Sequence, residues 1–150
     1  MIKNKLQINQ LNTKLQAFAA LPTVPSSGWI NAIRTTLGVS LIQMGKRLGI
    51  TRQSVAEIEQ READGSITLK NMHDAAQALD MRFVYGLVPI DGSLELLIDR
   101  RAKEIATKIV LRTSHSMTLE DQANSEARIQ KAIEERADEL KRERSKLLWD

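Results

Sequence analysis

Ser40-Leu-Ile-Gln-Met-Gly-Lys-Arg-Leu-Gly-Ile-Thr51, followed without a break by Arg52-Gln-Ser-Val-Ala-Glu-Ile-Glu-Gln60, decides how this chain is read. Ser40 and Gln43 have the spacing of a capping box, in which each side chain satisfies the other's unpaired backbone N–H. Leu41, Met44 and Leu48 then recur at helical spacing, and Gly49 closes that helix. Thr51 caps a further helix running through Glu62, with Val55 and Ile58 turned inward. Two short helices that cross closely need a small residue on the first and a residue tolerant of positive φ in the turn. They also need apolar side chains at set offsets. Gly45, Gly49 and the set Met44, Leu48, Ile50, Val55 and Ile58 fill all seven places. The stretch predicts a helix-turn-helix.

With Val55 and Ile58 inward, the opposite face of the second helix carries Arg52, Gln53, Ala56 and Glu57, with Thr51 and Ser54 near its N-terminus. A helix N-terminus favours phosphate, because its N–H groups are unpaired and its dipole is positive there. Thr51 and Ser54 suit backbone positioning. Arg52 can fork onto guanine and Gln53 onto adenine, and Glu57 can accept from the cytosine amino group. Ser40, Lys46, Arg47 and Arg61 complete the expected DNA-binding set, the three cations as phosphate contacts. Taken singly, each of these is also what an ordinary solvated helix surface carries.

Outward from the motif, Leu6, Leu11, Leu15 and Phe18 mark a short N-terminal helix, interrupted by Pro22, Pro25, Ser26, Ser27 and Gly28. Trp29, Ile33 and Leu37 give the stripe of the helix before Ser40. Leu69, Met72, Ala76 and Leu79 give that of a helix after Gly65 and Ser66. Residues 81–89, Met-Arg-Phe-Val-Tyr-Gly-Leu-Val-Pro, are β-branched and aromatic and predict a strand that must find a pairing partner. Two helices follow. One spans about Ser93 to Arg112 with Leu94, Leu97, Ile98, Ile105 and Ile109 on one side; the other starts near Thr118 after a turn at 113–117, lined by Ala123, Ile129, Ile133, Ala137 and Leu140. The expected organisation is a mainly α protein: an N-terminal helix and linker (1–27), a helical DNA-binding bundle (28–80), one β-strand (81–90) and a two-helix C-terminal extension (91–150). The last two helices pack on the bundle, or with the strand build a homodimer interface, or present a surface to a partner protein. A homodimer is expected, because one reading helix covers only a half-site and two of them, about 34–36 Å apart, multiply affinity.

At 150 residues with 42% hydrophobic content the chain can bury an ordinary core. Only 3% of residues are aromatic, and the Leu-, Ala-, Lys-, Arg- and Glu-rich composition favours helix. Through Ile90 there are 10 Lys and Arg against 6 Asp and Glu, and from Asp91 onward 12 against 13, so the basic excess lies with the motif. No cysteine is present, which excludes disulfides, thiolate metal sites and thiol nucleophiles. His73 and His115 have no paired ligand, and neither a metal nor a cofactor is expected. Glu57, Glu59 and Glu62 lack a general-acid partner or nucleophile, and no enzyme is expected. Glu59 reads instead as the ion-pair partner of an arginine such as Arg34. Glu120 and Asp121 fall in a first helical turn, where the dipole favours carboxylates. No apolar run approaches the roughly 18 residues of a membrane span and no signal peptide opens the chain, so a soluble cytoplasmic protein is expected.

Across 28–80 the sequence resembles the xenobiotic-response-element, or phage-repressor, helix-turn-helix family. The resemblance implies a lambda-repressor-like bundle whose dimers bind inverted-repeat operators. Two departures stand out: Leu41 occupies a place where that family often has Gln, and Ala63-Asp-Gly-Ser-Ile67 replaces its short Gly-Pro loop. The Pro-Ser-Ser-Gly-Trp-Ile run at 25–30, Gly-Ser-Ile-Thr-Leu-Lys at 65–70, Tyr85-Gly-Leu-Val-Pro89, Met117-Thr-Leu-Glu-Asp-Gln122 and the Leu148-Trp149 ending together resemble the group called mobile mystery protein A. That resemblance implies a transcriptional regulator, an autorepressor carried on a mobile element beside a gene for a Fic-domain protein. An antitoxin-like protein that binds the Fic-domain partner, with DNA binding secondary, is the alternative it implies. Fic antitoxins restrain the enzyme through Ser/Thr-x-x-x-Glu-Gly/Asn; here Ser116-Met-Thr-Leu-Glu120 is followed by Asp121, so the strict inhibitory motif is absent.

Overall fold

The computed structural model describes residues 2–114, 122–144 and 146–150. The protein is mainly α. The described residues form α1 (Ile2–Ala19), α2 (Trp29–Thr36), α3 (Leu41–Leu48), α4 (Arg52–Asp64), α5 (Leu69–Ala78), α6 (Leu94–Ser114) and α7 (Gln122–Glu143), then a 3₁₀ turn at Lys146–Trp149. The expected turn at 113–117, the helix start near Thr118, His115 and the Glu120-Asp121 pair fall wholly or mainly outside the described residues. No described helix is long and apolar enough to cross a membrane. The chain divides into two compact units: Leu21–Gly86, and Met1–Ala20 together with Leu87–Asp150.

In the unit Leu21–Gly86 the helix starts are set by short polar side chains. Thr51 and Thr68 accept through their hydroxyls from Ser54 N and Asn71 N, each at 3.1 Å, and each such cap contributes about 1 kcal/mol. α4 stops at Gly65, whose φ of 83° most residues would resist. Ile30, Met44, Val55, Met72, Ala75 and Leu79 form the core, with Ile33, Leu41, Leu48, Ile58 and Phe83 packed around them. Two expected stripes shift. In α2 the inward residues are Ile30 and Arg34, while Leu37 is 58% exposed. A buried arginine sits in that stripe, and an apolar pattern passes over it. In α5 Ala75 is fully buried and Leu69 is 52% exposed at the helix start, before the chain has turned onto the core.

The strand expected at 81–89 is not formed; no described residue lies in a strand. A strand needs a ladder partner, and no described segment pairs with these residues. Residues 82–88 take part in no backbone hydrogen bond with described residues.

In the other unit α6 and α7 run antiparallel, since Lys141 near the end of α7 reaches Asp99 near the start of α6 at 3.0 Å. Fully buried Ala102 and Ala106 let the helices approach closely, and Ile133, Ala137, Leu140 and Leu148 fill the seam. Of the stripe expected over Ala123, Ile129, Ile133, Ala137 and Leu140, the last four form the packed face of α7, and the Ala123 side chain lies outside the described residues. Arg101 Nε donates to the Leu148 carbonyl at 2.8 Å, tying the 3₁₀ turn to α6. Asn12 of α1 accepts from Leu94 N at 2.9 Å, an N-terminal cap supplied by another helix.

Candidate nucleic-acid interface

The junction between α3 and α4 is assembled from the residues that pattern and spacing single out. Ser40 Oγ accepts from Gln43 N at 3.1 Å, and Gln43 Oε1 accepts from Ser40 N at 2.8 Å, so both halves of the capping box are made. α3 ends at Gly49 in the left-handed region, φ 71° and ψ 30°, and Ile50 N donates to Gly45 O at 2.9 Å. The chain passes so close to Gly45 that a Cβ there would stand 2.6 Å from Ile50 O. Backbone cannot yield as a flexible side chain can, so only glycine permits this crossing. Met44 and Val55, both fully buried, seal it.

The inward face of α4 is a mixed stripe of Val55, Ile58, Glu59 and Glu62, at i, i+3, i+4 and i+7. Glu59 and Arg34 form a buried ion pair through Oε1 and Nε. Glu59 Oε2 also accepts from Arg34 at 3.2 Å and from Asn31 Nδ2 at 2.9 Å. Arg34 spends a further N–H on Val39 O at 2.9 Å. Among the described residues no buried side-chain nitrogen or oxygen lacks a partner, which is the condition under which a buried pair holds a fold in one register. Pairing of Glu59 with Arg34 is thus as expected. Glu62 was not anticipated: its carboxylate accepts from Trp29 N at 2.7 Å and Ile30 N at 2.8 Å, capping α2 where Gly28 offers no side chain of its own. The signal was available, because Glu62 follows Glu59 by three residues and shares its inward face.

With one side of α4 locked in this way, the other side is open. Arg52, Gln53, Ala56, Glu57, Gln60 and Arg61 are all exposed. Among the described residues Arg52, Gln53, Glu57, Lys46 and Arg61 make no side-chain hydrogen bond or close ion pair. Gln60, missed in the sequence, lies in the middle of this face, one turn beyond Ala56 and two beyond Gln53.

No protein-family model, curated protein or solved structure matches this chain.

The expected contact set divides by geometry. Arg52, Gln53 and Glu57 cluster over the first two turns of α4, directly after its cap, and Lys46 is exposed on the neighbouring helix. Thr51 is exposed, but its hydroxyl is engaged: it accepts from Ser54 N and donates to Ser54 Oγ at 2.9 Å. Ser54 is half-buried and Ser40 is occupied by its capping box, so these three hydroxyls shape the helix starts before they can meet a ligand. Arg47 is drawn aside, donating to Ala78 O at 2.9 Å and facing Asp80 at 3.6 Å. Arg61 lies about 14 Å along the helix axis from Arg52, near the other end of α4. There Asp64 carries a carboxyl held below the usual range, chiefly by the Ser66 hydroxyl and backbone N–H, with Arg61 adding to the effect.

Proposed function

We propose that this protein is a sequence-specific, double-stranded-DNA-binding transcriptional regulator acting in the cytoplasm. In this reading α2–α5 form a lambda-repressor-like bundle, and two copies of the chain bind an inverted-repeat operator. The observation that carries the proposal is the division of α4. Val55, Glu59 and Glu62 fix one face, while Arg52, Gln53 and Glu57 leave the first two turns of the other face outward and without partners among the described residues. Arg52 and Gln53 have the donor and acceptor sets for bidentate contact with guanine and adenine edges in a major groove. Lys46 and the exposed N-terminus of α4 supply the phosphate attraction that fixes register. The reading is of a binding protein, not an enzyme. The resemblance to mobile mystery protein A adds that the operator lies in the protein's own operon, so that binding represses it.

Selection of bound sequences from random duplex DNA tests this directly. The expected product is an inverted repeat with half-site centres one helical turn, about 34–36 Å, apart. Arg52→Ala then loses preference at one base position in each half and roughly 1–3 kcal/mol of affinity. Absence of any enriched sequence, or full operator affinity in Arg52→Ala, overturns the reading.

A further inference from the structure

Residues 81–90 join the two units, and their chemistry is that of an unfinished sheet. Residues 82–88 form seven consecutive positions with no backbone hydrogen bond to described residues. Val84, Tyr85, Leu87, Val88 and Ile90 are exposed, Leu87 at 77%. Phe83 and Tyr85 stack with centroids 5.7 Å apart, as side chains two apart do on the same side of an extended backbone. An apolar segment whose backbone N–H and C=O groups find no partner among the described residues is a template for another strand.

We propose that this segment pairs antiparallel with the same segment of a second copy, about a two-fold axis through Tyr85. The inference rests on the two-copy part of the proposed function and is independent of its DNA-reading part. Three observations choose a second copy over any other strand. The unpaired run is bounded alike at both ends: Met81 N is already used by Ala76 O at 2.8 Å, and Pro89 has no N–H to offer. A two-fold through Tyr85 sets these two positions opposite each other, so no ladder bond is demanded where none can form. Arg82, the one charged residue of 81–89, then faces Val88, and no like charges meet. Leu87 of the second copy, finally, comes opposite Phe83, beside a largely apolar cavity of about 210 Å³ lined by Trp29, Ile33, Met72, Phe83 and Val84, with Arg82 also in its wall. A two-stranded ribbon alone is marginal in water; seating an otherwise exposed leucine in that cavity supplies the missing burial.

Light scattering on the full chain at micromolar concentration, with backbone deuterium exchange on the same samples, tests the pairing. The expected mass is twice the 16.9 kDa of one chain, with the amides of 82, 84, 86 and 88, the hydrogen-bonded positions of this register, protected and losing protection on dilution. Val84→Pro, which removes a ladder N–H, and Leu87→Asp, which cannot fill the cavity, each halve the mass while far-UV circular dichroism stays helical. Arg52→Ala leaves the mass at two chains. A dimer in which the amides of 82, 84, 86 and 88 exchange as fast as in an unstructured peptide overturns the strand pairing and leaves a dimer built elsewhere; this readout needs no variant to fold. A monomer at all concentrations overturns both the pairing and the two-copy reading, as does protection that appears only when another protein is added.

Discussion

Two glycines govern the crossing of α3 and α4, and they do so for different physical reasons. At Gly45 the obstacle is space: a Cβ would sit 2.6 Å from Ile50 O. At Gly49 space is open, and the obstacle is the left-handed backbone at φ 71°. The two positions therefore rank substitutions in opposite order. Asn tolerates the left-handed region better than Ala, so Gly49→Asn is expected to retain more stability than Gly49→Ala, which costs roughly 1–2 kcal/mol. At Gly45 the smaller side chain wins: Gly45→Ala costs about 1–3 kcal/mol by displaced backbone, and Gly45→Asn costs more. Urea denaturation of the four variants checks this, and a common order at both sites would refute the distinction. Both roles were legible in the sequence, because a tight helix crossing admits few residue types and a turn after Leu48 demands one more. Glu59 was legible for a similar reason, since a carboxylate on an inward face must be paired. Glu62 shares the inward face of Glu59, which marked it as needing a partner, but its partners are backbone N–H groups of α2, which carry no side-chain signature.

At the scale of the elements, ion pairs of Arg100 and Arg101 with Asp91 and Glu104 tie together the first turns of α6 and the residue ahead of it. Asp91, just ahead of the helix, has its carboxyl held below the usual range, chiefly by the hydrogen bond from Arg100. Glu104 is lowered in the same direction, first by Arg100 and then by Arg101. A carboxyl whose folded pKa lies below its unfolded value contributes stability above the unfolded value and loses it as pH falls through the folded one. Acidification below the usual carboxylate range is therefore expected to loosen α6, with amide exchange rising first near Asp91–Glu104. Arg100→Met should move that acid transition to higher pH, and high salt should do the same more weakly, since the groups are solvent-screened. An unchanged transition in Arg100→Met would show that the pairs carry no linkage. Nothing in the sequence marked this network, since Asp91 and Arg100 are nine residues apart and only the helix start brings them together. Apolar stripes were legible where they are made of large residues, as over Ile129 to Leu140. They were misread where a small or charged residue is the one buried: Ala75 in α5 and Arg34 in α2. Alanine is compatible with either face, so periodicity alone does not place it.

On the scale of the whole molecule, the sequence announced one bundle with appendages, and the chain has two cores. Met44 and Val55 centre one and Leu140 the other, and α1, far away in sequence, caps α6 through Asn12. That cap was illegible because α1 is separated from Leu94 by the entire first core. The expected strand at 81–89 has the composition of a strand and lacks a partner in the described chain, which composition cannot supply. Local stability should follow the core to which an element belongs. Leu140 is fully buried among Ala102, Ala106, Ile133 and Leu148, so Leu140→Ala is expected to cost about 2–5 kcal/mol by transfer and cavity terms. In native-state hydrogen exchange that loss should be read by the amides of α6 and α7, while those of α3 and α4 keep their wild-type protection. Val55→Ala should produce the reverse pattern, and the double variant should show the sum at each site. Uniform loss of protection across all helices in either variant would mean that the two cores open as a single cooperative unit.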